Sequence, residues 1–479
     1  MKDENKKEIA ENEVIEESIK MAADESIDAD ALMAEFDRES NTRHFTGKKK
    51  IFINGLMIFF AIFALCVALL GRFLNKIPML STVMVWPGNC AVFLALILVI
   101  AYLIYPAYKK QVQKINYIPW YDYILAALSL VCFLYIALNA VEIAGRAINI
   151  NATDKVVGIL CILLLAEACR RVVGFPILCV IAVLIIYTFS QGTTFTRFLQ
   201  TLAFTKDGIT GTPLQICTNY LALFILFGSF LEKTGIGSFF VDLANSIAGF
   251  ACGGPAKVAV ISSALEGMYS GSSVANTVGS GSITIPTMKK AGYKPEFAAA
   301  VEAAASTGGQ IMPPIMGAAA FLMTEYTSLP YSQIAIAAIL PAVLYFTGIF
   351  MMIHFEAKKL GLKGLPKEAI PNFFKLVLSK GYLLLPVIAL VTAMNYFSPS
   401  KAAVVAIIVA IAVKLLEGAI KSIVHKKFEF DFGIYLRSLA NGTKNAIGVA
   451  LACAVAGCIS AMVQQTGLAN VLSSLVQSA

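Results

Sequence analysis

Apolar residues along this chain gather into long runs, most of them near the ~17–25 positions needed to cross a hydrocarbon core about 30 Å thick. Nine runs occupy 51–70, 90–105, 123–141, 175–189, 214–231, 334–353, 382–396, 402–416 and 446–463, and a tenth, 156–166, is shorter. One or two such runs could be core helices of a soluble protein, but nine could not. The expected fold is an all-α polytopic membrane protein with multiple transmembrane helices.

The texture changes along the chain. Residues 51–190 read as ordinary spans with few internal polar groups, and 191–210 as a polar linker. From 211 to 479, Gly, Ser, Thr and Pro enter the apolar runs and break them. Positions 258–269 are helix-like, yet Lys257 to Tyr269 covers only about 20 Å at 1.5 Å per residue, too short to cross. The chain then breaks at Ser270, Gly271, Ser272 and Ser273 and soon reaches Lys289 and Lys290. Lys257 and Lys289 share one face if this is a re-entrant helical hairpin with its tip at 270–277. A second break follows the helical stretch 297–305. Gly308 and Gly309, then Gln310, then Pro313 and Pro314, stop a helix that resumes near Met316. The expectation is a discontinuous helix beside the hairpin.

An internal repeat accompanies these breaks. Residues 231–247 resemble 463–479, with Thr234-Gly235-Ile236 falling on Thr466-Gly467-Leu468 at an offset of 232 residues. Each copy follows a long span. Such repeats mark secondary transporters, so an inverted-repeat architecture is expected. The same offset puts the counterpart of Ser270 beyond Ala479, leaving the second repeat incomplete. Residues 1–479 alone are therefore expected to insert into the membrane without transporting, as a transport-inactive truncated fragment or one half of a larger assembly.

Composition agrees: 58% of the residues are hydrophobic and 14% charged, against about 25% charged in soluble proteins. The net charge of +8 hides an asymmetry, because residues 1–50 hold 14 acids against 9 Lys and Arg. Residues 1–50 read as an acidic cytosolic head, not a signal peptide, which needs a basic start and a short apolar stretch. Basic clusters beside spans mark the cytoplasmic side. Lys48–Lys50, Lys109/Lys110/Lys114, Arg170/Arg171, Lys289/Lys290/Lys294, Lys358/Lys359/Lys363/Lys367 and Lys421/Lys426/Lys427 can all share one side. That predicts a multi-pass protein of the cell inner (cytoplasmic) membrane with its N-terminus in the cytoplasm. Bases scattered in short loops do not suit nucleic acid. The ten cysteines include no CxxC pair and read as buried small residues, with no metal cluster.

Irregular backbone at membrane depth is tolerated only where it is buried or lines a cavity. The tip would offer backbone groups, the hydroxyls of Ser272, Ser273 and Thr277, and the Asn276 amide. Helix N-termini suit an anionic substrate, and carbonyl and hydroxyl oxygens are hard ligands that suit Na⁺. The candidate substrate and ion site is therefore Ser270, Gly271, Ser272, Ser273, Asn276, Thr277, Gly308, Gly309, Gln310, Pro313 and Pro314. Na⁺ is placed near Ser272, Asn276, Thr277, Gly308 and Gly309 as coupling ion, with no other cofactor. Small residues that merely permit close helix packing are the alternative. Intramembrane Glu266 and Glu302 are either coupling or structural charges. Lys257, Glu232, Lys233 and Asp242 are expected at an interface. Ser270-Gly271 invites an intramembrane serine protease, but no His lies at membrane depth to act as base, so no enzyme is expected.

The stretches GGPAKVAV (253–260), SGSSVANT (270–277), IPTMKKAGYKPEFAAAVEAAASTGGQIMPP (285–314) and LGLKGLP (360–366) closely resemble tripartite ATP-independent periplasmic (TRAP) transporters. The type resembled has fused small and large membrane subunits and works with a TAXI-type solute-binding protein. The resemblance implies a sodium-coupled importer of small organic anions, often carboxylates, delivered by an extracytoplasmic binding protein and carried by an elevator-like motion. Residues 51–190 would be the small-subunit portion, and 211–479 the large-subunit transport domain. It also implies that 270–277 is the first hairpin tip and that Gly308–Gln310 with Pro313 and Pro314 form the unwound segment near sodium. A symporter that needs no binding protein is the alternative within transport.

Overall fold

The computed structural model describes residues 42–74, 83, 86–108, 115–146, 150–366, 368, 370–425, 433–471 and 474. The acidic head up to residue 41, Lys109, Lys110, Lys114, Lys367, Lys426, Lys427 and most of the tail after 471 lie outside the described residues. What is described contains helices and no strand. In chain order these are α1 (Gly47–Leu74), α2 (Gly88–Ile104), α3 (Trp120–Leu138), α4 (Ala140–Gly145), α5 (Ala152–Val172), α6 (Phe175–Ser190) and α7 (Phe195–Phe204). They continue with α8 (Thr212–Glu232), α9 (Ile236–Ala248), α10 (Gly254–Ser270), α11 (Ser273–Lys290), α12 (Pro295–Gly308) and α13 (Ala318–Thr327). The last are α14 (Tyr331–Lys359), α15 (Phe373–Tyr396), α16 (Pro399–His425) and α17 (Gly433–Thr466). Among the described residues seven are long and apolar enough to cross a membrane, namely α1, α3, α8, α14, α15, α16 and α17, while α2, α6 and α9 are shorter apolar helices. The protein is a polytopic all-α membrane protein.

Three elements differ in extent from the apolar pattern, each for a physical reason. The short run 156–166 lies inside the 21-residue α5. Its start is fixed by a capping box in which Asn151 and Asp154 satisfy each other's backbone N–H groups, and Asp154 also accepts from Tyr135 Oη at 2.7 Å and Arg146 Nη1 at 2.8 Å. α17 begins well before the run at 446–463 because its polar early residues find protein partners, as where Thr443 Oγ1 donates to the Met57 carbonyl at 2.8 Å. The polar stretch 191–210 contains the amphipathic α7, whose Phe198, Leu199 and Leu202 are buried.

The repeat has a structural counterpart. In both copies a long helix ends in a Thr that bonds back to its own turn, Thr234 Oγ1 to Leu231 O at 2.6 Å and Thr466 Oγ1 to Met462 O at 2.8 Å. A left-handed Gly follows, with φ of +85° at Gly235 and +66° at Gly467. That conformation favours glycine, which has no Cβ to clash. The two long helices, α8 and α17, pack closely and antiparallel. Gly457, late in α17, meets the carbonyl of Gly208 just before α8, whereas Gly442, early in α17, meets Leu226 late in α8. Asn445 Nδ2 donates to Ser229 Oγ at 3.5 Å. Matching segments that run in opposite directions are what an inverted repeat requires.

One end of α1–α5 is pinned by a buried ion network. Arg43 Nη1 donates to the carbonyls of Tyr102 and Leu103 at 2.9 and 3.0 Å, and its Nη2 pairs with Asp122. Arg171 bonds the other Asp122 oxygen at 2.7 Å and Glu167 at 2.7 Å. The side chains of Arg43 and Asp122 have no exposed area, and that of Arg171 only 2%. Lys49 Nζ donates to Asn116 O at 2.8 Å. The basic groups Lys48–Lys50 and Arg170/Arg171 thus lie at the same end.

The largest buried cluster joins α1–α9 with α13, α15, α16 and α17, and reaches the hairpin and α14 through Tyr269, Tyr331 and Ile334. A smaller one, with Ala256, Val260, Met288, Ala298, Val301 and Ile353 among its buried residues, binds α10, α11, α12 and α14 to one another. The hairpin also packs on α9, through Val258 against Val241 and Ala244.

Candidate functional site

α10 and α11 form the helical hairpin. Gly253 in a left-handed conformation and Pro255 in the first turn start α10, and Gly271, with φ of +58°, ends it. Ser272 Oγ then accepts from Ala275 N at 3.3 Å and caps α11. The turn is narrower than the sequence suggested. Regular helix resumes at Ser273, so Asn276 and Thr277 lie on α11 and not in open loop. The hairpin base closes where Tyr293 Oη donates to the Gly253 carbonyl at 3.4 Å, which puts Lys257 and Lys289 at one end, as expected. Lys257 is also packed inside the protein. It is 4% exposed, with Nζ 3.1 Å from His354 Nδ1 and 4.9 Å above the Phe350 ring.

α12 stops at Gly308. A single 3-10 turn, Gly309–Ile311, leads into a bend and a turn over 312–315 before α13 begins at Ala318. Pro313 and Pro314 have no N–H to continue a helix, and Met316 takes a positive φ of +56°. This unwound stretch docks on the hairpin tip. Ile315 N donates to Met268 O at 3.3 Å, and Gly317 N to Gln310 O at 2.7 Å. Gln310 Nε2 donates to Ser273 Oγ at 3.2 Å. The approach is backbone to backbone at Gly267, where an added Cβ would stand 2.3 Å from Gly309 Cα. At Gly271 an added Cβ would stand 2.3 Å from Met316 O.

Of the predicted site residues, Gly271, Ser272, Ser273, Gly309 and Gln310 meet at the junction of tip and break, whereas Gly308 faces Tyr345 and Phe346 of α14. Ser270 closes α10, and its Oγ is buried without a hydrogen-bond partner among the described residues. Asn276 is 1% exposed and turns inward, with Nδ2 donating to Ser263 O at 2.8 Å. Thr277 Oγ1 donates back to Ser273 O at 2.8 Å. Pro313 and Pro314 shape the break, and the Pro314 carbonyl accepts from Tyr331 Oη at 2.8 Å. A cavity of about 290 Å³, lined by Tyr220, Phe321, Thr324 and Tyr331 among others, lies behind the break and includes none of these residues.

Glu302 and Glu266 have different surroundings, and neither forms an ion pair among the described residues. Glu302 is wholly buried and caged by hydroxyls from three helices. Ser263 donates at 3.0 Å from α10, Ser280 and Thr284 each at 2.5 Å from α11, and Ser306 at 3.1 Å from α12. A buried carboxyl without partners costs several kcal/mol, so the cage fixes the hairpin to the broken helix. Glu266, 3% exposed, fits between Gly237 and Gly279, where added Cβ atoms would stand 3.1 and 2.9 Å from its oxygens. The hydroxyls around Glu302 were not singled out from the sequence. Their signal was the spacing of four that puts Asn276, Ser280 and Thr284 on one face of α11.

Comparison with known proteins agrees with this geometry. The family model for the tripartite ATP-independent periplasmic transporter, DctM component, matches residues 160–479. The chain is similar to the C4-dicarboxylate TRAP transporter large permease protein DctM of Pseudomonas aeruginosa, 27% identical over 226 residues, 45% of this chain and 52% of the relative. It is also similar to the sialic acid TRAP transporter large permease protein SiaM of Vibrio cholerae, 27% identical over 242 residues, 50% of this chain and 54% of that one. The isethionate TRAP transporter permease protein DctMQ of Oleidesulfovibrio alaskensis is 28% identical over 312 residues, 60% of this chain and 47% of its own length. The chain spans about half the length of the curated relatives it matches. With the family model covering well over half of the chain, and with a hairpin and broken helix where its motifs stand, the protein belongs to the tripartite ATP-independent periplasmic transporters as a DctM-type permease component.

Proposed function

We propose that the chain is the membrane permease component of a sodium-coupled secondary transporter importing small organic anions, carboxylates foremost, delivered by a TAXI-type extracytoplasmic solute-binding protein. The observation that carries this reading is the docking of the hairpin tip on the unwound segment, Met268 to Ile315 and Ser273 to Gln310. It brings the N-terminus of α11, glycine backbone and hydroxyls together, the groups that suit an anion and a hard cation. Na⁺ would sit near Ser272, Asn276, Thr277, Gly308 and Gly309. Residues 51–190 act as the small-subunit portion and 211–479 as the large-subunit portion, joined through 191–210. The substrates named for the relatives, C4-dicarboxylates, sialic acid and isethionate, are organic acids.

An active transporter containing this chain, reconstituted in vesicles, is expected to take up substrate only with both a sodium gradient and its binding protein. Uptake that ignores sodium contradicts the coupling, and uptake without the binding protein makes the chain a self-sufficient symporter. In the same assay Asn276→Ala is expected to raise the sodium concentration for half-activation about tenfold, since one lost charge-assisted contact is worth about 1.5 kcal/mol.

The protein sits in the cytoplasmic membrane with its N-terminus inside. Asn5→Cys and Lys290→Cys, each in a cysteine-free background, should both resist an impermeant thiol reagent in intact cells. Labelling of either from outside sinks this topology.

A further inference from the structure

A second cavity, of about 580 Å³, opens beside the buried ion network, lined by Tyr108, Tyr121, Leu125, Glu167, Arg170 and Arg171 among others. The network around it holds three guanidinium groups, Arg43, Arg170 and Arg171, against two carboxylates, Asp122 and Glu167, so it carries one positive charge in excess. Two guanidinium arms are unspent. Arg170 uses Nε and Nη2 on Glu167 and the Ala107 carbonyl. Arg171 uses Nε and Nη1 on Glu167, Tyr105 O and Asp122. Nη1 of Arg170 and Nη2 of Arg171 make no hydrogen bond among the described residues. Neither is among the buried unpaired atoms, and both side chains line the cavity. A planar guanidinium with a free arm is suited to a phosphate oxygen.

The surroundings specify which phosphate. Tyr108, which lines the cavity, is 67% exposed, and Tyr117, Trp120 and Tyr123, where α3 begins, are 44%, 74% and 49% exposed. Exposed Tyr and Trp at the end of a span mark the headgroup level of a bilayer. Beside Leu125, α3 carries an exposed apolar face at Ile124, Val131, Leu134 and Leu138. A free phosphate has no use for that face, whereas an acyl chain does. We propose that this cavity binds the phosphodiester headgroup of an anionic phospholipid, with its acyl chains laid along α3. The lipid would neutralise the surplus charge at the level where the first spans are tied together.

The test uses the full chain purified in mild detergent, with phosphatidylglycerol, phosphatidylcholine or inorganic phosphate added, and bound molecules counted by native mass spectrometry. Phosphatidylglycerol is expected to bind about tenfold more tightly than phosphatidylcholine, the scale of one charge-assisted contact. Arg170→Gln should erase that preference, and Arg197→Gln, an exposed arginine on α7, should leave it intact. Tyr108→Phe, which removes only an exposed hydroxyl at the mouth, should weaken it and guards against a folding defect in the arginine variant. Equal binding of the two lipids, a preference that survives both site variants, or displacement of the lipid by millimolar phosphate would each overturn the proposal.

Discussion

Asp122→Ala is expected to cost about 3–5 kcal/mol of stability, because removing one partner of a buried ion pair leaves the rest uncompensated. Here the carboxylate is shared, and its loss leaves both Arg43 and Arg171, whose side chains are 0% and 2% exposed, without their common counter-charge. Arg43 holds the segment before α1 to the end of α2, and Arg171 belongs to α5, so three elements lose their common tie. The comparison variant is Asp242→Ala. Asp242 pairs with Lys380 at 3.1 Å across α9 and α15, with the two side chains 37% and 47% exposed, and exposed pairs contribute about 0–1 kcal/mol. Heating detergent extracts and measuring the fraction that stays monodisperse by size exclusion should show a large loss for Asp122→Ala and almost none for Asp242→Ala. Equal losses would mean that the buried network does not anchor these helices.

Gly267→Val should have the second large effect, on the site itself. An atom at the Cβ position would lie 2.3 Å from Gly309 Cα and 2.9 Å from Gly309 O. Both are backbone, so no side chain can swing away, and the hairpin and the unwound segment must separate. Overpacking of this kind costs about 1–3 kcal/mol or more. We expect loss of sodium-driven uptake together with faster amide exchange across 309–317, with the protein still in the membrane. Gly348→Ala is the control. Its Cβ would meet nothing within 4 Å, and alanine is favoured over glycine in a helix by about 1 kcal/mol, so uptake should be unchanged. Normal uptake by Gly267→Val would show that the close contact is dispensable.

Much of this was legible in the sequence because the bilayer imposes simple rules. Span length and the Gly-Gly…Pro-Pro break follow directly from those rules, and the hairpin and discontinuous helix appear where those signals stand. The tip was read too wide, since Asn276 and Thr277 are polar yet sit on regular helix. Their groups are satisfied by Ser263 and Ser273 carbonyls that only the fold brings near. The role of Glu302 was open for the same reason, because three of its four hydroxyl partners lie on other helices. Asp122 and Arg43 gave no signal at all. A single acid at a span start and a single base before another look like surface residues until long-range packing buries them together. The antiparallel pairing of α8 with α17 was hinted at by the Thr-Gly match, but its direction came only from contacts such as Gly457 with Gly208.

The central claim is that sodium binds where the hairpin tip meets the unwound segment. Gln310 is exposed and bonded to Ser273 across that junction, so its accessibility reports on the site without requiring transport. The direct measurement is the rate at which Gln310→Cys, in a background without the ten native cysteines, reacts with a maleimide in Na⁺ or in K⁺. Sodium should slow labelling at least about threefold by favouring the closed junction, and adding Asn276→Ala should abolish the difference. Equal rates in the two salts, in protein that remains folded, would contradict the assignment.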